Sequence, residues 1–401
     1  MANPRKHDSG RTGEESDQTP RRRRFGRRQF LAGAATAGSV SLAGCFGMFG
    51  GDGDSSGDEF SENLATFRGS GPLVSGRPAP EGTSITDLPP LEGSLNFYLG
   101  GGEGGLYLDL IDIFANIYSD FSYQNAQASS SQLSNRITEE VEAGASQADL
   151  FLAVDAGSLG NVAQNGAARS LPSEITEEVP SELQAEGWIG FAGRARAVPY
   201  NTNQLSESDI PDTVQDFPDV SQFQNAMGWA PTYGAFQSFV TAMRLIRGES
   251  ETRSWLNAMA DSGIEQYPNE FAISDDVANG ALTAGFANHY YALRVRSARQ
   301  NAPVELAFTS GDAGALINVS GAQIIQGTDN VELAENLIRH LLSAEAQEFF
   351  ATRTFAYPTI PGVDPVGGLP TIDELNPPEI DLAALADTGP TLELLNETGI
   401  L

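Results

Sequence analysis

From residue 94 onward the chain alternates between short apolar runs and longer segments with helical apolar spacing, and this constrains the fold most. "SLNFYL" (94–99) reads as a buried strand, the glycine run 100–105 as a turn, and "LYLDLIDIFANIY" (106–118) as a helix. The pattern continues with a helix over 131–144, a strand over 148–155 and a helix in "AGSLGNVAQNG". A strand at "RARAVPYN" (194–201) and a helix over 234–248, stopped by Gly248, come next. "SDDVANGALTAG" reads as a helix, "GALINVSGAQIIQG" as a strand, and "DNVELAENLIRHLLSAEAQEFFATRT" as one or two helices. Such alternation predicts α/β layers around mainly parallel sheets. With 401 residues, two domains of ordinary size are expected.

The first 45 residues read as an address. Arg27-Arg28-Gln29-Phe30-Leu31 resembles a twin-arginine export signal, and an apolar run from Phe30 to Ala43 follows it. That run is too short and too rich in Ala, Gly and Ser for a convincing membrane span. Leu42-Ala43-Gly44-Cys45 resembles a lipobox, which makes Cys45 a lipid-bearing N-terminus. Residues 46–93 are dominated by Gly, Ser, Asp and Pro and are expected to be a disordered tether. The expected place is the outer face of the cell membrane.

Charge excludes one class of partner. The chain has 53 acidic and 23 basic residues, a net charge of -30, and its one Lys, Lys6, lies in the leader. So acidic a surface repels nucleic-acid phosphates. The balance reads as adaptation to high salt, where screening removes most of the self-repulsion. Cys45 is the one cysteine, so neither an intramolecular disulfide nor a Cys-based metal cluster can form.

Catalytic motifs are scarce. Gly100, Gly102 and Gly105 fit G-x-G-x-x-G, but five glycines in six residues match by chance. The G-x-S-x-G at Gly53–Gly57 lies in low-complexity sequence and is set aside. With only His289 and His340 after Cys45, a nucleophile–base pair is hard to assemble, which counts against an exported hydrolase. His340 falls in an amphipathic segment and reads as structural.

"NHYYALR" (288–294) is the unusual stretch. Ten tyrosines occur in all, and Tyr290 and Tyr291 are adjacent. Neighbouring residues point well apart on a helix and oppositely on a strand, so one apolar face does not easily absorb both. Either one ring is exposed, or both hydroxyls converge at a turn on something between them.

Several segments together carry a family resemblance. "ADLFLAVDAGSLGNVAQNGAARSL", "WIGFAGRARAVPYNTN" (with Ala192 where Ser is usual), "GWAPTYGAFQSFVTAMRLIRGE", "ANGALTAGFANHYYALR", "GDAGALINVSGAQII" and "LLSAEAQEFFATRTFAYPTIPGV" stand in one order. In that order they resemble the extracellular solute-binding proteins of ABC importers, specifically the ferric-iron-binding branch, here of a haloarchaeal lipoprotein type. The resemblance spans about 94–365. It implies an α/β, two-lobed type II periplasmic-binding-protein-like fold with discontinuous lobes, a hinge and an interlobe ligand cleft. Lobe 1 is expected over 94–198 plus 321–365, and lobe 2 over 199–320 plus 366–401.

The resemblance implies a monomeric binder without enzymatic activity, delivering Fe(III) to a membrane permease with its ATPase. Tyr290, Tyr291 and Tyr233 match the tyrosine ligands. A bound cation of high charge stabilises phenolate against a free phenol pKa near ~10. Gly234 and Ala235, at a helix N-terminus, would hold a synergistic anion, and Asn269 and Asn288 match positions lining the same cavity. Relatives place His in the loop after the first strand, where this chain has glycine and Glu103. Glu103 is either a replacement ligand or solvent-facing, and Asp155 is either a ligand or a turn cap. Tyr200 reads as packing, and His289 as an outer partner, a surface residue or a packing residue. Thiamine, a polyamine or an oxyanion are the alternative solutes.

Overall fold

The structure is a computed structural model and describes residues 55–101 and 104–401. Arg27, Arg28, Cys45, the start of the tether and Glu103 lie outside the described residues.

In chain order the strands are β1 (Gly93–Gly100), β2 (Phe121–Ala128), β3 (Leu150–Ala153), β4 (Gln184–Ala185), β5 (Trp188–Asn201) and β6 (Met227–Trp229). Then come β7 (Glu265–Gln266), β8 (Ala284–Gly285), β9 (Ala287–Asn288), β10 (Val304–Ala307) and β11 (Ile317–Ile324). The helices are α1 (Ser55–Phe67), α2 (Gly104–Ile117), α3 (Ser130–Glu142), α4 (Ala156–Gln164), α5 (Ser173–Thr176) and α6 (Gly234–Arg247). They continue with α7 (Glu249–Asp261), α8 (Glu270–Asn279), α9 (His289–Ala298), α10 (Val331–Leu341), α11 (Ala344–Phe349) and α12 (Gly389–Glu397).

One mixed sheet runs in the order β2-β1-β3-β11-β5-β8-β6-β7. β1 is parallel to β2 and β3, while β11 is antiparallel to both β3 and β5. β5 serves two halves. Its first part pairs with β11, and its second with β8, β9 and β10. Central strands covered on both faces are buried throughout and mainly apolar, although β11 also buries Asn318, Ser320 and Gln323. Accordingly every residue of β3 and β11 is buried, whereas the edge strand β2 alternates with solvent.

Local chemistry sets the element ends. Ser129 and Gln132 form a capping box at α3. Phe236, Phe239, Val240 and Met243 bury the helical face of α6, and Gly248 ends it at φ 84°. His340 is buried, with Nε2 3.0 Å from the Tyr118 hydroxyl and Nδ1 2.8 Å from the Asn336 carbonyl, as a structural residue would be.

Residues 55–92 differ from the expected disordered tether. They form a belt on the first half, because low-complexity composition does not reveal the few anchors that hold it. Phe67, Ile85 and Leu91 are buried in the core. Arg68 Nε donates to Glu348 Oε1 at 2.7 Å, and Arg77 Nε to Glu348 Oε2 at 2.9 Å. Ser84 Oγ donates to Glu345 at 2.6 Å, and Arg353 returns a hydrogen bond to the Phe67 carbonyl. At Gly69 a Cβ would stand 2.5 Å from the Thr352 carbonyl oxygen, so only glycine allows this approach. Glu348→Ala should strip both arginines of their acceptor and cost about 2–3 kcal/mol, read as a lower urea midpoint, with faster proteolysis within 68–92.

The tail assigned to lobe 2 also meets the other half. Residues 382–386 lie against α4, where a Cβ on Gly160 would come within 2.4 Å of Ala383 Cβ. Thr391, on α12, shares a 2.7 Å hydroxyl contact with Thr241 of α6.

Candidate metal centre

A cavity of about 800 Å³ lies where the starts of α3, α4, α6 and the β9–α9 junction face one another. Tyr233, Gly234, Ala235, Asn288, Tyr290 and Asp155 line it.

α6 begins without a side-chain cap, because Tyr233 at the cap position turns its ring elsewhere. That leaves a helix N-terminus, with its unpaired N–H groups and positive dipole end, against the cavity. Tyr290 and Tyr291 occupy the first turn of α9, and both are buried. Neither ring is exposed, which removes the first of the two alternatives. The two rings lie 4.3 Å apart between centroids. Tyr291 and Tyr233 hydroxyls are in direct hydrogen-bond contact. Arg294 lies 4.8 Å from the Tyr290 ring centroid and 5.4 Å from that of Tyr291, one helical turn on. Burial, then the neighbouring Tyr290 and the Tyr233 hydrogen bond, push the Tyr291 phenol far above its ordinary range.

Asn288 orients the group from below. Its Nδ2 donates to the Tyr290 hydroxyl at 3.4 Å, and its Oδ1 accepts from Arg196 Nη1 at 3.2 Å. Arg196 is 4% exposed and pairs with the fully buried Glu270, whose Oε2 accepts the Asn288 backbone N–H at 2.8 Å. The same frame therefore fixes β5, α8 and the tyrosine helix.

Two expected residues take other work. Asn269 caps α8, its Oδ1 accepting from Ala272 N at 2.9 Å, and is not among the cavity-lining residues; a helix start consumes its side chain. Asp155 lines the cavity but caps α4, accepting from Ser158 N at 2.7 Å and Ser158 Oγ at 3.1 Å. Tyr200 is packed on β5 and lies outside this cavity.

Arg194 and Arg196 line the cavity without having been singled out. Their signal was present in "RARAVPYN": residues two apart on a strand share a face. Among the described residues no group of three His, Cys, Asp or Glu could hold a metal.

Comparison with known proteins agrees with this architecture. The profile of the family described as bacterial extracellular solute-binding protein matches residues 109–375. The major ferric iron-binding protein of Neisseria meningitidis serogroup A is 29% identical over 281 residues, covering 68% of this chain and 83% of that one. Iron uptake protein A2 of Synechocystis sp. is 31% identical over 301 residues, covering 71% of this chain and 85% of that one. The crystal structure of iron-bound HitA from Pseudomonas aeruginosa superposes with a TM-score of 0.67 at 26% identity, covering 76% of this chain and 99% of that one. The two halves are thus the lobes of a type II binding-protein fold, as the sequence implied. The chain belongs to the bacterial extracellular solute-binding protein family.

Proposed function

We propose that this protein captures Fe(III) between its lobes through Tyr233, Tyr290 and Tyr291 and delivers it to an ABC permease. On this reading it is exported by the twin-arginine route, held at the outer face of the membrane by a lipid on Cys45, and performs no chemistry on its cargo. The observation that carries the reading is the convergence of three phenols beside an uncapped helix N-terminus. Three phenolates offset a trivalent charge, and Gly234 and Ala235 suit a small co-bound anion.

The organic-cation readings fit less well. Tyr290 and Tyr291 turn toward each other and carry Arg294 across their faces, which leaves poor stacking surface for a thiamine ring. A polyamine wants several carboxylates, and among the described residues Asp155 is the one carboxylate lining the cavity, beside Arg194 and Arg196. Those two arginines do favour a second reading, a free oxyanion as the cargo.

The test uses protein lacking residues 1–45 at molar salt, titrated with Fe(III) or with phosphate alone. Iron should produce a visible phenolate-to-metal charge-transfer band and release about three protons, one per phenol. The sign follows from burial. The empty site holds the Tyr291 proton at neutral pH, and iron displaces it, so affinity should rise with pH and weaken in acid. No band with iron, together with a raised melting point in phosphate, would favour the oxyanion.

A further inference from the structure

We infer that His289 is a positioning residue for the tyrosine pair: it ties the start of α9 to strand β5 and to the chain turn at Phe355, and is not itself a ligand. This rests on the reading of Tyr290 and Tyr291 as iron ligands.

His289 is 1% exposed. The Ala195 N–H lies 3.2 Å and the Ala195 carbonyl oxygen 3.3 Å from its Nδ1, whereas Nε2 faces the Phe355 carbonyl, which can only accept; in the neutral ring Nδ1 is therefore the acceptor. Nε2 then bears the proton and donates to the Phe355 carbonyl at 2.7 Å. Both ring nitrogens are thereby engaged by backbone, and none is left for a cation. The ring packs at a 53° tilt 4.6 Å from Tyr357 and edge-on 5.6 Å from Tyr290, centroid to centroid. One imidazole thus joins three segments far apart in sequence, at residues 195, 289 and 355.

Each of these segments is itself constrained. Ala195 sits on β5, the strand shared by both halves. Phe355 ends a π-helical turn (Phe350–Thr354) with φ 61°, a left-handed conformation rare for an aromatic residue. Tyr357 and Gly193 exchange two backbone hydrogen bonds, of 2.7 and 2.9 Å, which holds the turn beside β5. Tyr290 follows His289 directly, so movement between β5 and the 355–357 segment reaches the phenol through one residue. Sites held loosely by their supporting groups lose function with shifts of about 1 Å.

The experiment compares wild type, His289→Gln and His289→Phe, each lacking residues 1–45. Glutamine keeps an amide donor for the Phe355 carbonyl, and phenylalanine keeps only the ring volume. The readouts are the charge-transfer band and the rate at which a competing chelator strips iron. Loss of an outer partner of a metal ligand costs about 10–100-fold. His289→Phe should therefore release iron at least about tenfold faster, with a shifted band, while His289→Gln stays between it and wild type. If His289→Phe does not fold, His289→Asn takes its place; it can satisfy Ala195 but not Phe355, and should also rank below His289→Gln. Any variant series matching wild type in rate and band, or glutamine no better than its comparator, overturns the inference. A wild type that shows no iron band overturns both this inference and the reading beneath it.

Discussion

Replacing Tyr290 and Tyr291 together with Phe should abolish Fe(III) capture while leaving the fold standing. The two rings keep their volume and their packing against Arg294, so the loss is confined to the hydroxyls. Outer partners of metal ligands alone are worth about 10–100-fold. Losing two direct ligands should therefore lower affinity by more than about 1,000-fold and remove the visible band. Each single variant should bind more weakly, with Tyr291→Phe also removing the hydrogen bond between Tyr291 and Tyr233. Tyr200→Phe, on β5 but outside the cavity, should leave the band unchanged. Retention of band and affinity in the double variant would end the tyrosinate reading. The measurement is competition against a chelator of known affinity, with circular dichroism as the check on folding.

Glu270→Ala should give the largest loss of stability, about 3–5 kcal/mol. Glu270 is fully buried and Arg196 nearly so. Removing the carboxylate strands a guanidinium in the interior, and the Asn288 N–H loses its acceptor as well. Replacing both members by apolar residues should cost far less than removing Glu270 alone, because the penalty comes from the uncompensated charge. Urea unfolding should show a lower midpoint at unchanged slope. Equal losses in the single and double replacements would refute this account. Since Asn288 also reaches the Tyr290 hydroxyl, the Glu270 variant should bind iron more weakly than its stability loss alone explains.

Much of the body was legible because its signals are local. The Gly248 stop, the apolar face of α6 and the apolar runs of β1 and β3 follow from spacing within a dozen residues. Strand β2, "FSYQNAQA", was not legible; as an edge strand it is largely polar, and its pairing with β1 supplies the order. The helix read over "SDDVANGALTAG" instead runs Glu270–Asn279, because Asn269 caps its start and Gly280, at φ 79°, ends it, and Ala284–Gly285 is a strand. Residues 55–92 read as linker because their anchors, Glu345, Glu348 and Thr352, lie more than 250 residues away.

The sequence by itself determined the α/β alternation, the acidic body and the adjacent Tyr290–Tyr291 pair, whereas Tyr233 was implied by the family resemblance and its contact with Tyr291 is tertiary. The first three are a matter of composition or short-range period, which neighbouring residues express without help. Only the tertiary structure decided that Asn269 caps a helix rather than facing the cavity, that both arginines of "RARAV" line it, and that the two ring nitrogens of His289 meet the Ala195 N–H and the Phe355 carbonyl. Those outcomes depend on which distant polar group arrives to satisfy a buried donor or acceptor. Burial makes that pairing obligatory, but local spacing does not say which partner it is.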